Sequence, residues 1–141
     1  MQAKEIKILM ADDEPDVLSV MAKKVALEGF KVVTAADGQE AWEKIQSEDP
    51  DIIILDLSMP KLHGLEVLKN VRSNPPSAKW QPVIIVSAHG ELQDIQKGFS
   101  LEADHYITKP CSVSDVVKAI HTMISLIPQH KPNEKPESEK K

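Results

Sequence analysis

The stretch Ile52-Ile53-Ile54-Leu55-Asp56-Leu57-Ser58-Met59-Pro60 decides how this chain folds. Its apolar run has strand length, and it ends directly in a carboxylate, a place where charge is costly unless it is paired. Outward from it, further strand-length apolar runs occur at 6–10, 31–35, 83–86 and 105–108. Amphipathic stretches of helical length lie between them. Pro15 opens the first, with Val17, Leu18, Met21, Val25 and Ala26 at helical spacing and Gly29 as a stop. Asp37-Gly38 precedes the second and Gly64 opens the third. Leu92, Ile95 and Phe99 suggest a fourth after Gly90, weakened by Gly98. Val116, Val117, Ile120, Met123, Ile124 and Ile127 form the stripe of a fifth, with Ser112 and Ser114 as candidate caps.

Five strands alternating with five helices predict an α/β fold, a (βα)5 doubly wound parallel sheet. The expected strand order is 2-1-3-4-5, which is flavodoxin-like and brings the ends of the first and third strands together. The 141 residues fit one domain, expected over 1–127, and 41% hydrophobic with 28% charged residues suits a globular core. Residues 128–141 hold three Pro, four Lys and three Glu and almost nothing apolar, so they read as a disordered tail or linker.

The net charge of −5 argues against direct contact with nucleic acid or an anionic membrane. No apolar run approaches the roughly 20 residues needed to span a bilayer. Cys111, the single cysteine, cannot form an internal disulfide, and the first 30 residues hold no secretory apolar region. A cytoplasmic protein is expected.

Parallel α/β sheets bind ligands at the carboxyl ends of their strands. The first strand ends in Asp12-Asp13, the third in Asp56, the fourth in Ser87 and the fifth in Lys109. Each has a plain explanation when taken alone. Asp13 can cap the first helix, Asp12 can be an ordinary strand-end carboxylate, Ser87 a turn residue and Lys109 a surface cation. Together they point elsewhere, because clustered carboxylates repel unless a cation neutralises them. Mg²⁺ suits such a set, since it binds through one or two carboxylates, waters and a phosphoryl oxygen. Lys109 and Ser87 would stabilise the charge of a phosphoryl group placed on Asp56.

The set Asp12-Asp13, Asp56-Leu57-Ser58-Met59-Pro60, Gly64, Val86-Ser87-Ala88 and Tyr106-Ile107-Thr108-Lys109-Pro110 resembles the receiver domain of two-component response regulators. The resemblance runs from about Lys4 to Ile127, with the motifs in order. It implies that Asp56 accepts a phosphoryl group from a histidine kinase or a histidine phosphotransfer protein. It further implies that Asp12, Asp13, Asp56 and the backbone carbonyl of Ser58 bind Mg²⁺, and that Lys109 pairs with the phosphoryl group. The Lys109-Pro110 bond is commonly cis in the family. Ser87 matches the switch hydroxyl and Tyr106 the aromatic residue that follows it. The implied output is a changed surface over the fourth helix, fifth strand and fifth helix, which binds a downstream protein or a second copy. No enzyme acting on a separate substrate is implied.

Leu101-Glu102-Ala103-Asp104-His105-Tyr106 departs from the commoner Gly-Ala-Asp-Asp-Tyr, and the loop at 73–81 is longer than usual. Its Trp80 is either a partner contact or part of a packed loop, whereas Trp42 is expected in the core. His89 and Ser58 would border the phosphoryl group. The competing reading is a receiver-like module that binds its partner without phosphorylation; such modules usually lack an acidic or lysine position, and this chain lacks none. A flavin site would want a glycine- and hydroxyl-rich phosphate loop where this chain has Asp12-Asp13-Glu14-Pro15. An aspartyl-phosphate hydrolase would usually carry a second aspartate where this chain has Ser58.

Overall fold

The apolar runs become the strands of one sheet. The computed structural model describes residues 6–57, 59, 63–88 and 103–129. Along the chain run β1 (Lys7–Ala11), α1 (Pro15–Leu27), β2 (Lys31–Ala35), α2 (Gly38–Glu48), β3 (Ile52–Asp56), α3 (Gly64–Ser73), β4 (Val83–Ala88) and β5 (His105–Lys109). The C-terminal helix (Val113–Leu126) and a 3-10 turn (Ile127–Gln129) follow. The sheet order is β2-β1-β3-β4-β5, with every pair parallel, as expected. The expected fourth helix, His89 and residues 130–141 lie outside the described residues.

Alternation along the strands splits the core into two layers. Leu9, Ile53, Leu55 and Ile85 face α2 and α3, meeting Ile45, Leu68 and Val71. Ile8, Met10, Ile54 and Ile84 face the other way, meeting Leu18 and Val25 of α1 and Val116, Ile120 and Met123 of the C-terminal helix. Burying each such side chain stabilises the fold by about 1.5–3 kcal/mol. Trp42 is not enclosed in this core: the buried stripe of α2 is Gly38, Ala41 and Ile45, and Trp42 flanks it, half-buried against the margin of the first layer.

Local chemistry sets the helix ends. Gly29 stops α1 with φ 103°, a conformation that costs a residue without Cβ little. The Asp37 side chain caps α2 by accepting the Glu40 N–H at 2.8 Å. Ser112 and Asp115 form a reciprocal capping box on the C-terminal helix, so of the two candidate serines Ser112 is the cap.

The long loop after α3 folds back onto the amino ends of the strands. Lys79 Nζ donates to the Asp49 carbonyl at 2.7 Å and to the Asp51 carboxylate at 3.0 Å. The buried Gln81 amide donates to the Pro50 carbonyl at 2.8 Å. Trp80 between them is half-buried, which is the packed form of this loop. At the same end Arg72 pairs with Asp104 at 2.6 Å and donates to the Gln81 carbonyl at 2.8 Å. Asp104 Oδ2 also accepts the Val83 N–H at 2.8 Å, and its own N–H donates to the Val83 carbonyl. The bases of β4 and β5 are thereby clamped together.

Candidate functional site

At the opposite, carboxyl end of the sheet, β1 and β3 deliver their acidic residues side by side. Asp12, Asp13 and Asp56 each present a carboxylate oxygen within 4.8 Å of the others. Their environments differ: Asp56 is 4% exposed, Asp12 is half-buried and Asp13 is open to solvent. Asp13 does not cap α1. The residue at that helix start is Glu14, which makes no side-chain cap; its N–H donates instead to Asp12 Oδ1 at 2.9 Å. The carboxylate of Asp13 is thus directed to the cluster rather than spent on the helix.

Lys109, at the end of β5, crosses to this cluster. Its Nζ lies 2.9 Å from Asp56 Oδ2, 3.5 Å from Asp12 Oδ2 and 3.8 Å from Glu14 Oε1. Glu14 is the member that sequence reading passed over, because only the fold shows that its exposed side chain reaches the strand-end lysine. Burial works against the ammonium of Lys109, but the hydrogen bond and charge of Asp56, with the charge of Asp12, outweigh it and leave its pKa above the ordinary 10.5. Burial also raises Asp12 above its ordinary value, and the nearby Asp56 charge adds to this against the Glu14 N–H and Lys109. An anionic cluster that one ammonium only partly offsets favours a further cation.

Ser87 sits one residue beyond Val86, which pairs in register with Asp56. Its Oγ is buried and has no hydrogen-bond partner among the described residues. A buried hydroxyl left in this state costs free energy, so it is ready to donate to a new oxygen nearby. Tyr106, in register with Ile85, is half-buried against the layer under α2 and α3. The Lys109-Pro110 bond is cis. Of the sequence-designated set, Asp12, Asp13, Asp56 and Lys109 meet directly, Ser87 borders them on the next strand, and Ser58 lies outside the described residues. The three carboxylates, all oxygen donors, fit a small hard cation such as Mg²⁺.

One end of α3 is fitted to the same place. Gly64 donates its N–H to the Leu57 carbonyl at 3.1 Å, and a Cβ on Gly64 would lie 2.6 Å from the Asp56 carbonyl oxygen and 2.9 Å from Leu57 Cα. Only glycine allows this approach. An apolar cavity lined by Met10, Met21, Ile54, Val116 and Cys111 lies beneath the cluster. Burial pushes the Cys111 thiol above its ordinary pKa, so it stays protonated at neutral pH.

The doubly wound sheet and its acidic strand-end cluster define a signalling module of two-component systems. The chain belongs to the response regulator receiver domain family, which matches residues 8–121. Among relatives, it is 40% identical over 117 residues to the alkaline phosphatase synthesis transcriptional regulatory protein PhoP of Bacillus subtilis, covering 81% of this chain and 48% of that protein. It is 35% identical over 124 residues to a probable transcriptional regulator, ycf27, of Cyanophora paradoxa, covering 88% and 50% of the two chains. The chain therefore spans about half the length of these relatives. A CheY-like receiver domain protein from Methanospirillum hungatei superimposes with a TM-score of 0.81 at 25% identity, over 88% of this chain and 97% of that one. The receiver domain of a Francisella response regulator does so with a TM-score of 0.76 at 30% identity, over 85% and 97%. Among the described residues no helix is long and apolar enough to cross a membrane.

Proposed function

We propose that this receiver accepts a phosphoryl group on Asp56 from the phosphohistidine of a histidine kinase or histidine phosphotransfer protein. The observation that carries this is the 2.9 Å pairing of Lys109 with a nearly buried Asp56 inside a cluster of three carboxylates. The Lys109 pair orients the Asp56 carboxylate, and the closely packed strand end holds it in place as the nucleophile. As an Asp56 oxygen bonds to phosphorus, the donor's N–P bond breaks and the imidazole leaves with the electron pair. Lys109 follows the developing charge, and the Ser87 hydroxyl, which has no partner among the described residues, gains an acceptor. Hydrolysis by water returns Asp56 and releases phosphate, so the chemistry is confined to the chain's own side chain, and no separate substrate is turned over.

Asp12, Asp13, Asp56 and the backbone carbonyl of Ser58 would hold Mg²⁺. When bound, it supplies positive charge that lets the acidic cluster tolerate an incoming phosphoryl group. The addition brings roughly −1.5 to −2 charge to the strand ends. Ser87 moving towards it frees space beside β5 for Tyr106, and the surface of β5, the C-terminal helix and the segment before β5 changes. A downstream protein or a second copy would dock there. Two relatives bear the names of transcriptional regulators, which sits mildly against the expectation of no direct contact with nucleic acid. We read this acidic chain as the part that is phosphorylated rather than the part that touches DNA.

Incubation with acetyl phosphate and Mg²⁺, followed by intact-mass measurement, tests the reading. One phosphoryl group should appear, depend on Mg²⁺ and vanish in Asp56→Asn. Labelling unchanged in that variant places the acceptor elsewhere.

A further inference from the structure

The start of α3 is held by an unusual cap. His63 stands at the N-cap with extended backbone (φ −61°, ψ 145°), and its Nδ1 accepts the Leu65 N–H at 3.2 Å. The His63 carbonyl accepts from Glu66 and Val67 at 2.9 and 3.1 Å, so the residue closes the first turn through both side chain and backbone. Histidine is not among the preferred cap residues, and the cap here depends on an Nδ1 free of a proton.

This turn bears directly on the acceptor. The next residue, Gly64, rests against the backbone of Asp56 and Leu57 and donates to the Leu57 carbonyl. On its other side the Leu57 N–H donates to the Val86 carbonyl at 3.0 Å. The peptide after Asp56 is therefore gripped between β4 and the first turn of α3. His63 determines whether that turn is closed, Gly64 transmits the closure, and the Leu57 carbonyl, one peptide beyond Asp56, receives it.

We propose that His63 is a positioning residue for phosphoryl transfer: by capping α3 it keeps the Gly64 turn seated on the Asp56 backbone and the nucleophile in its transfer geometry. The inference rests on the phosphoacceptor reading of Asp56. Small misplacements of a reacting group slow reactions out of proportion to their effect on folding. A merely structural cap would lower stability without changing the rate of a chain that remains folded.

The test compares wild type, His63→Ala and His63→Asn, where asparagine restores a side-chain acceptor. Three readouts are taken: the rate of phosphorylation by acetyl phosphate with Mg²⁺, stability to urea, and hydrogen exchange of the Leu65 amide. The alanine variant should be phosphorylated about fivefold more slowly, the shift expected from loss of a typical cap, and its Leu65 amide should exchange faster. Asparagine should restore both. His63→Gln, outside the preferred cap residues, replaces the alanine variant if that one does not fold. A folded, uncapped variant with the wild-type rate, or an asparagine variant as slow as alanine, overturns the proposal. Unchanged Leu65 exchange in His63→Ala refutes the cap itself without any phosphorylation assay. A wild-type chain that accepts no phosphoryl group removes the acceptor reading, and this inference falls with it.

Discussion

Lys109 Nζ stands 2.9 Å from Asp56 Oδ2, although 53 residues separate them in the chain. Their meeting depends on β3 and β5 both pairing in parallel with β4, so that the two strands end at the same edge. A lysine at that edge is the sole described cation within salt-bridge distance of Asp12, Glu14 and Asp56.

Lys109→Ala should slow phosphorylation of Asp56 by acetyl phosphate by about 10²-fold, the usual cost of losing one preorganised group that stabilises developing charge. The variant should remain folded, since the parallel sheet does not depend on this side chain. Initial rates by intact mass, with circular dichroism as the folding control, check it. A rate within twofold of wild type would remove Lys109 from the transfer step.

Gly64→Ala should destabilise the chain by about 1–3 kcal/mol, because the new methyl group meets backbone rather than a side chain that can turn away. The contact distances of 2.6 and 2.9 Å leave it no room. Urea unfolding measures the loss, and a variant as stable as wild type would show that the turn at α3 is not seated as described.

Stability should also depend on Glu40 in a pH-specific way. Its carboxylate accepts the Ala36 N–H at 2.8 Å and pairs with Lys44 at 2.9 Å, and these interactions, the first foremost, hold its pKa below the ordinary 4.5. A depressed folded-state pKa contributes stability above the unfolded value and loses it as the pH falls through the folded value. The group is partly exposed, so solvent screening keeps the contribution to about 0.5–1 kcal/mol. Glu40→Gln should therefore be less stable than wild type at pH 7, and the gap should close below about pH 4.5. A gap that persists unchanged at pH 3 would assign the effect to packing.

How much was legible follows from which residues carry local signals. The run ending in Asp56 marked β3, and the strands matched the apolar runs except that β1 starts one residue later and pairing continues one or two residues beyond the runs at Ala11, Asp56, Ala88 and Lys109. Hydrophobicity marks where a strand is buried, whereas the ladder marks where it pairs. The acidic and lysine positions were readable because each directly ends a strand. His63 carried no signal, since histidine is not a usual cap, and the start of the third helix was read from Gly64. Glu14 and the Arg72–Asp104 pair were invisible for another reason. Their partners lie on other elements, 95 residues away for Glu14 and 32 for Arg72, distances over which sequence spacing says nothing.

The Arg72–Asp104 pair has a mechanical meaning for the far end of the sheet. Asp104 fixes the foot of β5 to the foot of β4 and to the end of α3, while Lys109 at the head of β5 reaches for Asp56. The strand is thus a short cantilever, rooted at one end and loaded at the other. Added charge at the loaded end cannot slide it along its neighbour, because that would break the root. On the proposed reading that load would be taken up by rotation of side chains along β5, so its five residues would work as a lever whose fulcrum is the Arg72–Asp104 ion pair.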